Sequence, residues 1–177
     1  MNEKDPLLAK FHNWSLKYLE IRPRSEKEIR DYLKIKIERG IKKGWLQIGD
    51  QMSYAGGQIS IGIFIDRVIE KLKKVNLVND TDFAKLWVES RSRSRSVRIL
   101  KGELFKKGIN KEIVDQVFSD AALSDENLLQ KVAAKTVAKY KSLPPREARQ
   151  KLIAFLMRRG FEWEDVRGVV DELTKGR

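Results

Sequence analysis

The chain contains no cysteine, which excludes a disulfide framework, a thiolate metal site and a thiol nucleophile. It has one histidine, His12, too few for a multi-histidine metal centre, and that residue reads as a surface or boundary position. The longest apolar stretch, near Ile59 to Ile65, falls far short of the roughly 20 residues that span a bilayer as a helix. Met1 to Lys10 mixes acids with bases and has no apolar run, so no signal peptide is expected. There is no phosphate-cradling Gly-x-x-x-x-Gly-Lys loop and no credible nucleophile–base pair. Asp80 and Asp82, and likewise Glu162, Glu164 and Asp165, cluster where helices begin, and capping and helix-dipole effects account for them. These absences lead to the expectation of a soluble, cytoplasmic chain that is not an enzyme and carries no cofactor or metal.

What is present is charge of one sign. Among 177 residues, 37 Lys and Arg face 25 Asp and Glu, a formal net charge of +12. Hydrophobic residues at 41% leave enough for a folded core under this exterior. Such a balance favours polyanions: nucleic acid, a nucleoprotein assembly or an anionic membrane surface. A proteome generally rich in lysine is the plainer explanation.

The chain also repeats itself. Leu100-Lys101-Gly102-Glu103-Leu104-Phe105-Lys106-Lys107-Gly108 is echoed by Leu152-Ile153-Ala154-Phe155-Leu156-Met157-Arg158-Arg159-Gly160. A degraded copy runs from Ile29 to Ile37, with Ile37 at the place of the glycine. Each copy has the pattern of a helix that packs one stripe, and the two intact ones carry cations in the last turn and stop on a left-handed glycine.

Around these copies the spacing predicts nine helices in three groups of three. The first spans Pro6 to Ile21 with Leu8, Phe11, Leu16 and Leu19 inward. Ser25 and Glu28 form a capping box for the second, which buries Ile29, Leu33 and Ile37 and runs to about Arg39. From about 40 to 60 the helical pattern lapses among glycines. That insertion is either a small β-hairpin, with strands near Trp45 to Ile48 and Gln58 to Ile61, or a loop. A third helix, Ile61 to Val75, buries Ile65, Val68, Ile69 and Leu72. Asp80 caps a fourth, to Ser92, with Phe83, Ala84, Trp87 and Val88 inward. The fifth ends at Lys107, and Asn110 caps a sixth with Ile113, Val117 and Phe118 inward. Ser124 or Asp125 opens the seventh, Pro144-Pro145 the eighth, and Glu162 the ninth. The expected fold is all-α: an elongated array of three tandem three-helix modules, 1–76 (insertion about 40–60), 77–123 and 124–177.

At this point the chain resembles the RecX family, regulators of the bacterial recombinase RecA. The residues that carry the resemblance are Arg24-Ser25-Glu26-Lys27-Glu28-Ile29-Arg30-Asp31-Tyr32-Leu33 and Leu77-Val78-Asn79-Asp80-Thr81-Asp82-Phe83-Ala84. They continue through Trp87, Arg91, Arg98-Ile99, Glu103-Leu104 and Lys107-Gly108-Ile109 to Lys151-Leu152, Phe155-Leu156 and Arg158-Arg159-Gly160-Phe161. The resemblance implies an elongated helical protein that binds the RecA–DNA filament and restrains its ATP hydrolysis and strand exchange. One departure stands out: the first module lacks a glycine at Ile37, and its second helix overruns to Gly40.

The candidate contacts to filament or DNA are cationic. Arg91, Arg93, Arg95, Arg98 and Lys101 form the densest group, without nearby acids, and guanidiniums grip phosphates and carboxylates in two-pronged fashion. A solvated interhelical loop is the bland alternative. Lys106, Lys107, Arg158 and Arg159 precede the helix-ending glycines, where dipole stabilisation alone explains bases equally well. Arg146 and Arg149, with Lys151, extend the stripe. Phe83 and Trp87 read as second-module core, and Phe161 with Trp163 as a staple for the last helix. Trp45 and Tyr54 either pack the insertion onto the first module or offer a partner contact. The expected partners are the RecA filament and, weakly and without sequence preference, single- or double-stranded DNA, met by a monomer. A stand-alone basic nucleic-acid-binding protein and a helical scaffold for another partner are the alternatives.

Overall fold

The structure, a computed structural model, describes residues 6–46, 52–54 and 57–175, with side chains at 6–46 and 60–175. The described elements are helices α1 (Pro6–Ile21), α2 (Glu26–Lys42), α3 (Ile61–Lys74), α4 (Asp80–Arg91), α5 (Val97–Lys106), α6 (Lys111–Asp120), α7 (Asp125–Val137), α8 (Pro145–Arg158) and α9 (Trp163–Thr174). A 3-10 turn, Ala138–Tyr140, extends α7, and strands β1 (Met52–Tyr54) and β2 (Gly57–Ile59) complete the list. The chain divides into two compact units, Met1–Phe83 and Ala84–Arg177.

In the first unit, α1, α2 and α3 bury one continuous core. Leu8 and Phe11 from α1 meet Ile29, Leu33 and Ile37 from α2 and Phe64, Ile65, Val68, Ile69 and Leu72 from α3. Phe11 and Phe64 meet edge to face at 5.3 Å. Ser15 takes the buried place on α1 and donates to the Phe11 carbonyl, while Leu16 and Leu19 are only partly buried. The capping box at Ser25 and Glu28 is present as expected.

Two expectations about the insertion need correction. The hairpin exists, but its first strand is Met52–Tyr54, antiparallel to β2 with Met52 opposite Ile59, and its second stops at Ile59, since Ile61 opens α3; Trp45 and Leu46 lie in a bend before it, and 47–50 fall outside the described residues. Helix α2 runs to Lys42, past the expected Arg39 and past Gly40, which is buried inside it. The glycine that ends it is Gly44, at φ 72°, matching Gly108 at 81° and Gly160 at 89°. The first copy of the repeat therefore does stop on a left-handed glycine, about two helical turns beyond Ile37.

The second unit stacks two groups of helices. Leu100 and Leu104 are the buried residues of α5, and Val114, Val117 and Phe118 those of the neighbouring α6, so Val114 rather than Ile113 is the buried member of that turn. Leu152 and Leu156 of α8 are fully buried beside Leu128, Leu129 and Val132 of α7 and Val166 and Val170 of α9. Phe161 is buried at the α8–α9 turn, but Trp163 is exposed, so only the first of that pair acts as a staple. Asn79, not Asp80, caps α4: its Oδ1 accepts from the backbone N–H groups of Thr81 and Asp82.

One joint occurs twice. Buried Ser25 and Ser96 cap α2 and α5, and in each case the next backbone N–H is claimed by an aspartate that opens a later helix. The Glu26 N–H donates to Asp80 Oδ1 at 2.8 Å, and the Val97 N–H donates to Asp125 Oδ1 at 2.6 Å. Helix N-termini leave amides unsatisfied, and a carboxylate there also meets the positive end of the dipole.

Candidate partner-binding surface

The Arg-Ser turn between α4 and α5 is held by its own backbone. The Ser94 N–H donates to the Arg91 carbonyl at 3.0 Å, and Ser96 accepts from the Ile99 N–H to start α5. Glu103, one turn before the end of α5, organises the side chains above. It accepts from the Trp87 indole N–H at 2.9 Å and lies 3.7 Å from Arg91 and 3.8 Å from Arg95. The Arg91 guanidinium covers the Trp87 ring at 4.1 Å, and Lys107 stands 5.1 Å from the same ring. The expectation of an arginine run without nearby acids is thus wrong, because folding brings Glu103 into its centre. Trp87 is likewise only half-buried: its ring is a platform for cations, with its polar edge tied to Glu103.

Two cations outnumber the one acid here, and neither salt bridge is close enough to be strong. Arg93 is exposed and has no ion pair among the described residues. Arg98 reaches the α8–α9 turn, donating to the Gly160 carbonyl at 3.3 Å and pairing with Glu162 at 3.4 Å. Lys101 is engaged by Asp115 at 2.9 Å. Arg149 donates through Nε and Nη2 to Asp171 Oδ1 at 3.0 and 2.6 Å, and this pairing holds the Asp171 carboxyl below its usual range. Arg159 lies 4.9 Å from the Phe155 ring. Lys106, Arg146 and Arg158 are exposed and have no ion pair among the described residues. The candidates thus separate into a pinned group and an unpaired group, which sequence could not distinguish. Glu103 itself gave no local signal, since it stands sixteen positions from Trp87.

In the first unit Trp45, in the bend after α2, is 41% exposed. It meets Trp14 edge to face at 5.7 Å, and Lys10 covers its ring at 3.9 Å. Tyr54 belongs to β1, and its side chain lies outside the described residues. A second charged network ties α2 to α3: Glu26 pairs with Arg30 at 2.7 Å and Lys73 at 2.5 Å, and Arg30 with Asp66 at 2.5 Å. Burial pushes the Glu26 carboxyl up, but the hydrogen bonds from Lys73 and Arg30 outweigh it and leave it lowered. No group of acids and histidines suited to a metal ion occurs among the described residues, and no described helix is long and apolar enough to cross a membrane.

Three family models match the chain in order: the first three-helix domain of RecX at residues 12–38, the second at 79–117 and the third at 124–170. The chain belongs to the RecX family. It is 31% identical over 114 residues to the regulatory protein RecX of Clostridium acetobutylicum, a match covering 62% of this chain and 53% of that one. The chain thus spans about half the length of that relative. RecX of Clostridium perfringens is 28% identical over 174 residues, covering 97% of this chain and 72% of the other. The crystal structure of RecX from Lactobacillus salivarius superposes with a TM-score of 0.60 at 23% identity, over 94% of this chain and 96% of that one. At that identity the likeness establishes the RecX fold. The family is one of regulatory proteins, and its three-helix domains supply the helical-repeat architecture.

Proposed function

We propose that this chain is a regulator of the RecA recombinase, built of modules 1–76, 77–123 and 124–177, that binds the RecA–DNA filament and slows its ATP hydrolysis and strand exchange. The single observation that carries this is the ordered match of all three RecX three-helix domains along one chain. The cationic surface of the second unit supplies the chemistry. Arg93, Lys106, Arg146 and Arg158 are exposed cations suited to phosphates or to acidic side chains. Arg91, Arg95, Arg98, Lys101, Lys107, Arg149 and Arg159 are held by acids, rings or backbone and present a pre-arranged field. Nothing in this mechanism requires catalysis by the chain: bridging neighbouring protomers hinders the motions that accompany ATP turnover.

The test is the DNA-dependent ATPase rate of the cognate RecA on excess single-stranded DNA, titrated with this chain. Loss of activity at substoichiometric protein supports filament regulation. The Arg91→Ala, Arg98→Ala double variant should inhibit more weakly at unchanged helicity. No inhibition, with tight and salt-sensitive binding to naked nucleic acid, would instead favour a stand-alone nucleic-acid-binding protein.

A further inference from the structure

The ends of α2, α5 and α8 share a detail that packing does not require. In each, the left-handed glycine donates its N–H to the carbonyl of a residue three positions earlier: Gly44 to Ile41 at 3.0 Å, Gly108 to Phe105 at 2.9 Å and Gly160 to Met157 at 3.0 Å. That residue is large and apolar each time, and each time it faces solvent: Ile41 is 40% exposed, Phe105 48% and Met157 40%. A base follows it directly. Lys42, Lys106 and Arg158 are all exposed, and none has an ion pair among the described residues.

The same turn occurs twice more among the described residues and serves as an internal control. Asn76 after α3 (φ 54°) and Ala122 after α6 (φ 46°) close their helices in the same way. Asn76 donates to the Lys73 carbonyl at 2.9 Å and Ala122 to that of Ser119 at 3.1 Å. Lys73 and Ser119 occupy the place of Ile41, Phe105 and Met157, so the turn itself accepts a polar residue there. The apolar choice at the three second helices therefore answers to something outside the fold. Scattered exposed apolar residues need no explanation, but three at one structurally equivalent place, each followed by an exposed base, do.

We propose that these three corners are equivalent docking elements, each seating an apolar side chain in an acid-ringed apolar pocket on successive subunits of a repeating protein partner. The chemistry commits to protein: a phosphate backbone explains Lys42, Lys106 and Arg158 but gives no purchase to Ile41, Phe105 and Met157. The repetition commits to a partner that presents one pocket many times. This rests on the filament reading and deepens it, by assigning one corner to each module and by giving the overrunning α2 a purpose. Its two extra turns carry Ile41-Lys42-Lys43-Gly44 to the end of the helix, restoring in the first module the corner that the other two possess.

The test is binding of the full chain to RecA filaments on single-stranded DNA, with Ile41→Gln, Phe105→Gln and Met157→Gln singly and together. Each single variant should weaken binding by about three- to tenfold, as expected for losing one partly buried apolar side chain, and the losses should multiply in the triple variant. Leu86→Gln, equally exposed on α4 but outside any corner, should bind as wild type, and circular dichroism should report unchanged helicity throughout. A second set, Lys42→Glu, Lys106→Glu and Arg158→Glu, should lose binding in parallel. Wild-type binding by the triple variant would overturn this inference alone. Equal losses by the three Gln variants on naked DNA, or an equal loss in Leu86→Gln, would also overturn it. Failure of the wild-type chain to bind the filament would overturn the filament reading and this inference with it.

Discussion

Trp45 stands so close over Gly40 that a Cβ built on that glycine would lie 2.7 Å from the indole Cζ2 and 3.1 Å from Leu46 Cβ. Gly40 is inside α2, where alanine is ordinarily favoured over glycine by about 1 kcal/mol. Overpacking against two apolar groups costs about 1–3 kcal/mol and reverses that preference. Gly40→Ala should therefore destabilise the chain by about 1 kcal/mol in urea unfolding, and Trp45→Leu should relieve part of the loss. A stabilised Gly40→Ala would mean that the end of α2 is not packed this way.

The two tail glycines at 44 and 160 should respond differently to alanine. Both have positive φ, which costs a side chain about 1–2 kcal/mol. A Cβ at Gly44 meets no heavy atom within 4 Å, whereas one at Gly160 would sit 2.7 Å from Ser96 Oγ and in collision with Ile99. Gly160→Ala should therefore lose more stability than Gly44→Ala, by at least about 1 kcal/mol. Thermal unfolding of the two variants side by side decides it.

Asp80 accepts from the Glu26 N–H while more than half buried, and burial, with Glu26 as a neighbouring charge, pushes its carboxyl above the ordinary 3.8. The folded chain thus holds this proton more tightly than the unfolded chain, so the contribution of Asp80 to stability falls as pH rises from 3.8 through the raised value. Asp80→Asn keeps the acceptor and removes the charge. It should be at least as stable as wild type at pH 7, with the advantage vanishing in acid. Asp80→Ala should lose about 1–3 kcal/mol, because the Glu26 amide is left without its partner.

His12 shifts the other way. Burial, then the charge of Lys71, lowers it from 6.5, so the folded chain favours the neutral ring. Its contribution is complete above 6.5 and is lost as pH falls below that value towards the lowered one. Urea midpoints of wild type should fall more between pH 7.5 and 5 than those of His12→Gln. Parallel midpoints would show that the imidazole is effectively solvated.

Glu103 draws the Arg91 and Arg95 side chains towards itself, so Glu103→Gln should leave both more available and add one net positive charge to that surface. Binding to naked DNA should tighten, and the slope of log K against log salt should steepen by up to about two, roughly 0.9 for each phosphate newly contacted. An unchanged slope would show that neither arginine reaches a phosphate.

Most of the helical frame was legible because it rests on local chemistry. The Ser25 and Asn110 caps, the Pro145 start and the Ile29-Leu33-Ile37 stripe are set within a few residues and can be read there. The reading departs from the structure where a residue's role is set by packing or pairing rather than by helical period. Local spacing puts the cap at Asp80, but Asn79 does that work and leaves Asp80 to reach Glu26. Trp87 reads as core from its spacing with Phe83, but it opens onto Arg91 and anchors to Glu103. Gly40 reads as a helix end because its packing against Trp45 and Leu46 leaves no trace in helical spacing.

By itself, then, the sequence determined the helices, most of their caps and the three-module grammar, since hydrophobic period and capping act over one or two turns. Only tertiary structure decided which cations are pinned and which have no ion pair among the described residues, and that Ile41, Phe105 and Met157 hold one equivalent, exposed place. Burial and charge pairing depend on what folding brings together, and no local pattern encodes that.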